Sequence, residues 1–149
     1  MVVLRRYKVN LNSMDLKIIT PKKVVFEDTI DEINVPGFDG EITILPKHVA
    51  LFSMLKEGLV TVLKGKEETF FSIGGGYVET DGKQVSVLVS RAFGQDEINE
   101  EEIKKAQKQA EELLSKNITE QERKDAMQML RRSTVDLKLL SKVKYRRNK

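Results

Sequence analysis

The sequence predicts a mostly β protein with added α structure: an N-terminal β-sandwich followed by a C-terminal antiparallel two-helix hairpin. Short alternating apolar runs separated by turn residues fill residues 16–90, and no helical run interrupts them. After Gly94 the apolar spacing changes from 2 residues to about 3.6, the period of an α-helix. The 149 residues are enough for one domain with such an appendage.

Nine short apolar runs predict the strands of the sandwich. Asp39-Gly40 and Asp81-Gly82 suit positive φ, and Gly65-Lys66 lies between two alternating runs, so these three dipeptides predict hairpins. The predicted strands are residues 16–19, 24–26, 30–35, 42–45, 51–55, 59–63, 69–73, 77–80 and 85–89.

The first predicted helix has a clear start. Asn99 can cap it, Glu102 three residues later makes a capping box, and Ile98 with Ile103 has the spacing of a hydrophobic staple. The helix should end near residues 115–117. Its narrow apolar stripe consists of Ile103, Ala106, Ala110, Leu113 and Leu114.

A second capping box, Thr119 with Glu122, begins the other helix, and the link of about four residues favours antiparallel packing. Its apolar stripe follows a heptad: Ala126, Leu130, Ser133, Leu137 and Leu140. Both stripes are thin and rich in small residues, whereas each well-buried large side chain would contribute about 1.5–3 kcal/mol. We therefore expect a hairpin that can detach.

Charge divides the chain into four predicted parts. Residues 1–13 carry Arg5, Arg6 and Lys8 without an acid, and we interpret them as a basic extension, disordered or not native. Residues 14–94 form the sandwich, and residues 95–141 form a hairpin with an acidic start. Residues 142–149 form a basic tail. A basic tail can meet nucleic acid, anionic lipid or an acidic protein surface.

Composition argues against independent catalysis. The chain has no cysteine, so thiol chemistry is absent, and its single histidine makes a metal site improbable. Gly74-Gly75-Gly76 could suggest a phosphate loop, but a strand follows it where such a loop needs a helix. We interpret the glycines as a bulge or tight turn where the backbone must approach another segment closely. We predict no catalytic residue and no metal.

Four motifs together resemble the epsilon subunit of bacterial F-type ATP synthases over about residues 14–141. They are Leu16-Lys17-Ile18-Ile19-Thr20-Pro21, the Gly-Glu-x-x-x-Leu-Pro-x-His block at residues 40–48, Gly74-Gly75-Gly76-Tyr77-Val78-Glu79, and Glu111-Glu112-Leu113-Leu114. The resemblance implies a rotor subunit in the central stalk, at the cytoplasmic face of the bacterial cell membrane. Its contact with the membrane would be indirect, through the c-ring.

The resemblance also implies partners and contact residues. The sandwich would bind the gamma subunit and rest on the c-ring, with Glu41, Lys47 and His48 as candidate ring contacts. The hairpin would extend to the alpha/beta catalytic head and inhibit ATP hydrolysis. Arg131, Arg132 and Lys138 are the candidate residues for that inhibition.

Some members of this family bind regulatory ATP through an Ile/Leu-Asp-x-x-Arg-Ala motif. The matching segment here has Ile98, Asn99, Glu102 and Ile103 at the motif positions. Because an acid stands where the family has arginine, phosphate would be repelled, and we expect no cofactor. A competing interpretation is a β-sandwich module that binds nucleic acid or anionic lipid with its basic tail, although the acidic first helix interrupts the basic face.

Overall fold

Ten strands and two helices make up residues 12–149, the part of the chain that the computed structural model describes. The strands are β1 (Met14–Ile19), β2 (Val24–Ile30), β3 (Glu32–Gly37), β4 (Gly40–Ile44), β5 (Leu51–Leu55), β6 (Gly58–Lys64), β7 (Glu67–Ile73), β8 (Gly76–Thr80), β9 (Gln84–Val89) and β10 (Ala92–Gly94). The helices are α1 (Glu100–Leu114) and α2 (Glu120–Arg147). Most of the predicted basic extension, residues 1–11, lies outside the described residues.

The strands form one sheet in the order β10-β7-β6-β3-β5-β8-β9-β1-β2, with β4 paired to β3. All pairings are antiparallel except that of β1 with β9. A single pairing, Gly37 with Leu55, joins β3 to β5. Beyond this narrow join β2 lies against β6 and β10, so the sheet closes on itself and the predicted sandwich followed by two helices is confirmed.

The core lies between the two halves of this sheet and is drawn entirely from residues 14–92. Leu16, Ile33 and Val78 are fully buried because strand alternation turns them inward. The rings of Phe26 on β2 and Phe71 on β7 meet edge to face across the layers at 5.2 Å. No helix residue belongs to this core, so we expect a chain that ends at Gly94 to keep the sandwich folded.

The predicted strands needed two corrections. The run predicted at residues 30–35 is divided, because Ile30 ends β2 and β3 begins at Glu32. Asp31 turns the chain between them: its N–H donates to the Leu63 carbonyl, and its carboxylate accepts from the Gly65 N–H at 2.6 Å. The strand β10 was not predicted, since three residues are too short to show an alternation.

The three predicted hairpin turns contain glycines with positive φ. Gly40, Gly65 and Gly82 have φ of 137°, 60° and 88°, each within one of the three predicted hairpins. Gly76 has another role: a Cβ there would lie 2.0 Å from the Leu88 carbonyl oxygen on β9. The interpretation of the triple glycine as a close backbone approach is therefore confirmed at Gly76.

The two helices begin where the caps predicted. Asn99 accepts from the N–H groups of Glu101 and Glu102, but the Glu102 side chain does not bond back to the Asn99 N–H, so the predicted box at this helix is only half formed. The complete reciprocal capping box is present at Thr119 and Glu122. The predicted α1 stripe is correct for Ile103 and Ala110, but Leu113 is exposed. The predicted boundary at residue 141 falls inside α2, which continues through the basic tail to Arg147.

Helix α2 buries two faces where the sequence indicated one. Ala126 and Ser133 lie on the heptad stripe, but the fully buried leucine is Leu139, and Leu140 is only half-buried. Leu139 belongs to a second row, spaced four and three residues apart, which we call the docking face: Arg132, Asp136, Leu139, Val143 and Arg146. Arg132, Asp136 and Arg146 of this row contact charged or polar side chains of the sandwich. Helix α2 also packs against α1.

Candidate functional site

The loop after β4 is fixed against the turn between β8 and β9. The Lys47 N–H donates to the Gly82 carbonyl at 2.9 Å, and the His48 N–H donates to the Leu45 carbonyl at 3.0 Å. Nδ1 of His48 lies 2.7 Å from the Val49 carbonyl oxygen, so this nitrogen carries the proton in that bond. A side chain at position 82 would clash with this loop, because a Cβ there would lie 2.5 Å from the His48 carbonyl oxygen.

The three predicted ring-contact residues are not one cluster. Lys47 is exposed and His48 half-buried at the β8–β9 end of the loop. Glu41 is exposed near the start of β4, opposite Pro36 of β3. The contacts described for residues 12–149 join neither Lys47 nor His48 to Glu41.

Glu41 instead borders an apolar groove that sequence reasoning missed. Phe38, Phe52 and Met54 line this groove and are 64%, 62% and 53% exposed, and we call these three residues the apolar patch. The Phe52 ring is supported by Tyr77 at 5.1 Å. The signal lay in β5, Leu51-Phe52-Ser53-Met54-Leu55, because apolar residues occupy both alternating faces of that strand.

The three cations predicted to inhibit hydrolysis also separate. Arg131 and Lys138 are exposed and, seven residues apart, share one side of α2. Arg132 lies on the docking face, where its Nε is 3.9 Å from Glu57 of the sandwich. Arg132 is therefore partly neutralised while the hairpin is docked.

Polar and charged contacts run along the whole docking face. Arg146 pairs with Glu68 at 2.6 Å, and both Arg146 and Lys142 lie over the Phe70 ring at 5.8 Å. Asp136 pairs with Arg91 at 3.3 Å and accepts a hydrogen bond from Ser72. The predicted basic tail thus lies against the sandwich, and part of its charge is already used there.

A further ion pair joins the two helices. Lys144 near the end of α2 donates to Glu100 at 2.7 Å, and Lys104 pairs with the same carboxylate at 3.0 Å. The hydrogen bond from Lys144, followed by that from Lys104, lowers the pKa of Glu100 below its ordinary value. These pairs therefore stabilise the hairpin above the ordinary pKa of glutamate, about 4.3, and are lost as the pH falls through the lowered pKa.

The degenerate ATP motif lines a cavity of about 410 Å³ between β10, α1 and α2. Asn99 uses its side chain to cap α1, and Ile103 is buried. Four acids and two arginines line this cavity: Glu97, Glu102, Asp125, Asp136, Arg91 and Arg132. The excess of carboxylates does not fit a polyphosphate.

The described residues present neither a metal site nor a membrane helix. Among residues 12–149 no group of three or more His, Asp or Glu side chains is arranged to hold a metal ion. The same residues contain no helix whose length and apolar character would let it cross a bilayer.

Comparison with known proteins agrees with this architecture. The family model for the beta-sandwich domain of the ATP synthase delta/epsilon chain matches residues 13–95. An ATP synthase epsilon chain of Desulforamulus reducens is 39% identical over 100 residues, 67% of this chain and 76% of that protein. One of Herpetosiphon aurantiacus is 31% identical over 136 residues, 91% of this chain and 98% of that protein.

A solved structure shows a similar fold. A chain in the Euglena gracilis mitochondrial ATP synthase structure, which contains OSCP, F1 and the c-ring, has a TM-score of 0.71 and 21% identity to this chain. The match covers 80% of this chain and 76% of that one. The sandwich match, and the relative that spans sandwich and hairpin together, show that this chain belongs to the ATP synthase delta/epsilon chain family.

Proposed function

We propose that this chain is a non-catalytic rotor subunit that couples ion-driven rotation of the c-ring to ATP synthesis and inhibits ATP hydrolysis through its hairpin. The observation that carries the proposal is the division of labour within the fold. A sandwich with its own core presents an exposed apolar patch, and a hairpin outside that core contacts the sandwich through three ion pairs. The subunit would lie at the cytoplasmic face of the cell membrane.

The apolar patch suits a contact with the gamma subunit. Phe38, Phe52 and Met54 form a contiguous exposed group beside a groove, and such groups mark protein interaction sites. Large apolar side chains supply most of the binding free energy when a partner excludes water from them. The patch would therefore provide affinity for gamma.

The polar rim suits the c-ring. Glu41 borders the patch, and Lys47 is held outward by a backbone fixed to Gly82. Exposed charges contribute register and specificity more than affinity, which fits a contact with the polar loops of the ring. Glu41, Lys47 and His48 thus remain our candidates for that contact.

We expect joint replacement of Glu41 and His48 by alanine to weaken ring attachment and ion-driven ATP synthesis while gamma binding persists. The reason is that neither side chain belongs to the apolar patch or to the core. Attachment would be measured by co-sedimentation with c-ring vesicles, and gamma binding by titration. Asp39→Ala, an exposed acid in the same groove, is the matched control. An equal loss of gamma binding would contradict the division between rim and patch.

The hairpin suits a movable inhibitor. Leu139 is the fully buried large side chain of the docking face, whereas Arg132, Asp136 and Arg146 contact the sandwich through charge. An acidic surface on the catalytic head could replace the pairs of Arg132 and Arg146 at little net cost, because exposed pairs contribute only about 0–1 kcal/mol each. Two packings of similar free energy can be shifted by such a partner.

Regulatory ATP is not part of the proposal. The cavity that the motif lines has an acid, Glu102, at the position where the family has arginine, and three further carboxylates surround it. Phosphate oxygens would be repelled by these groups. We therefore propose that the hairpin of this chain responds to its protein partners rather than to ATP.

A further inference from the structure

Three side chains from three elements meet where α2 crosses the sandwich. Asp136 lies on the docking face of α2, Ser72 on β7, and Arg91 between β9 and β10. Nη2 of Arg91 lies 3.3 Å from the Asp136 Oδ1 and 3.3 Å from the Ser72 Oγ, and the Ser72 hydroxyl donates to the same Oδ1. One carboxylate oxygen of the helix therefore receives two donors from the sandwich.

This ion pair is the most enclosed of those between residues 12–149. The side chains of Arg91 and Asp136 are 13% and 16% exposed, whereas each other pair has at least one member that is 42% exposed or more. Solvent and salt screen exposed pairs but reach an enclosed pair much less. Loss of one partner leaves an uncompensated charge in a poorly hydrated position. Breaking this pair should therefore destabilise docking more than breaking one of the exposed pairs.

The docked arrangement leaves part of Arg91 unsatisfied. Its Nε is buried and has no hydrogen-bond partner among the described residues. A buried donor without a partner is unfavourable, and exposure to water would satisfy it. Docking thus gains the bonds to Asp136 and loses the hydration of Nε, so this loss opposes part of the gain.

We infer that Ser72, Arg91 and Asp136 form a latch that selects the docked position of the hairpin. When Asp136 leaves, Arg132 and Arg146 on the same face of α2 separate from Glu57 and Glu68 and become available to an acidic partner. Burial of Leu139 stabilises docking but does not select one docked position, because apolar contact is not directional. The consequence for ATP hydrolysis rests on the proposed function, whereas the latch itself does not.

The latch is tested in the full chain by a distance measurement. The chain has no cysteine, so Lys83→Cys and Lys116→Cys, at exposed sites on the sandwich and at the hairpin turn, can carry two spin labels selectively. We expect Asp136→Asn, which keeps the shape but removes the charge, to change a single docked distance into a broad distribution, with the undocked fraction raised about tenfold or more. Arg91→Gln should act alike from the other side.

Asp125→Asn is the matched control, since Asp125 lies on α2 and lines the same cavity but bonds to Gln121 within the helix. An unchanged distance in Asp136→Asn, or an equal change in Asp125→Asn, would overturn the latch. The double variant should add little to either single variant, because both remove one interaction. Additive effects would likewise contradict it.

Measuring ATP hydrolysis by the assembled head together with the label distances tests the latch and the proposed inhibitory function separately. If both hold, Asp136→Asn lengthens the distances and inhibits hydrolysis more strongly than the natural chain. Lengthened distances with unchanged hydrolysis would support the latch and contradict the inhibitory role of the hairpin. Unchanged distances would contradict the latch whatever the hydrolysis rate.

Discussion

Binding of this chain to the gamma subunit should weaken about 100-fold or more when Phe52 and Met54 are both replaced by aspartate. A carboxylate at the centre of a desolvated contact must lose its hydration without a partner, and loss of one of the few central hot-spot residues of an interface costs about 2 kcal/mol or more. Both side chains are mostly exposed, so the sandwich should unfold at nearly the same temperature. Affinity would be measured by titration calorimetry with purified gamma subunit.

Val24→Asp is the matched control for this experiment. Val24 is 50% exposed on β2, close to the 53% of Met54, but it does not line the groove of the apolar patch. The control should bind gamma normally. Equal affinity of the control and the double variant would place the gamma contact elsewhere on the sandwich.

Hydrolysis of ATP by the assembled head should rise when Arg131, Arg132 and Lys138 are replaced together by alanine. Exposed pairs contribute about 0–1 kcal/mol each, so a single replacement should change inhibition less than about fivefold, and the triple replacement by about tenfold or more. Added salt should weaken the inhibition by the natural chain, because exposed charges are screened over about 8–10 Å at physiological ionic strength. The measurement is the hydrolysis rate across a salt series.

Arg132 has two roles in this experiment. Its pair with Glu57 also holds the hairpin down, so Arg132→Ala alone both loosens docking and removes a cation from the inhibitor. Replacement of only Arg131 and Lys138 isolates the second effect. A triple alanine replacement at Lys105, Lys108 and Lys116, exposed on α1 and the hairpin turn, is the control. Equal hydrolysis rates in the two triple variants would argue against a specific contact.

The fold could be predicted from the sequence wherever local chemistry determines it. The hairpins follow from glycines that need positive φ, and both helix starts follow from a capping side chain three residues before a glutamate. The split at Asp31 and the strand β10 were missed because each depends on partners distant in sequence, namely Leu63, Gly65 and β7. A period within one segment carries no information about such partners.

The candidate site was less predictable for a related reason. The docking face of α2 contains Arg132, Asp136 and Arg146, which an apolar periodicity treats as solvent-facing. They lie against the sandwich because Glu57, Arg91 and Glu68 provide the opposite charges, and those residues become neighbours only through the fold. The positions of the degenerate ATP motif, by contrast, could be located from the family resemblance alone.

Ion-driven ATP synthesis in membranes depleted of this chain tests whether the chain is a coupling rotor subunit with an inhibitory hairpin. We predict that the full chain restores synthesis and inhibits hydrolysis, whereas a chain ending at Gly94 restores synthesis, keeps its gamma affinity and leaves hydrolysis high. This outcome would follow from a sandwich whose core needs no helix residue and a hairpin that acts only as the inhibitor. Synthesis that proceeds equally with and without the chain would contradict the rotor role, and hydrolysis inhibited equally by the full and shortened chains would contradict the role of the hairpin.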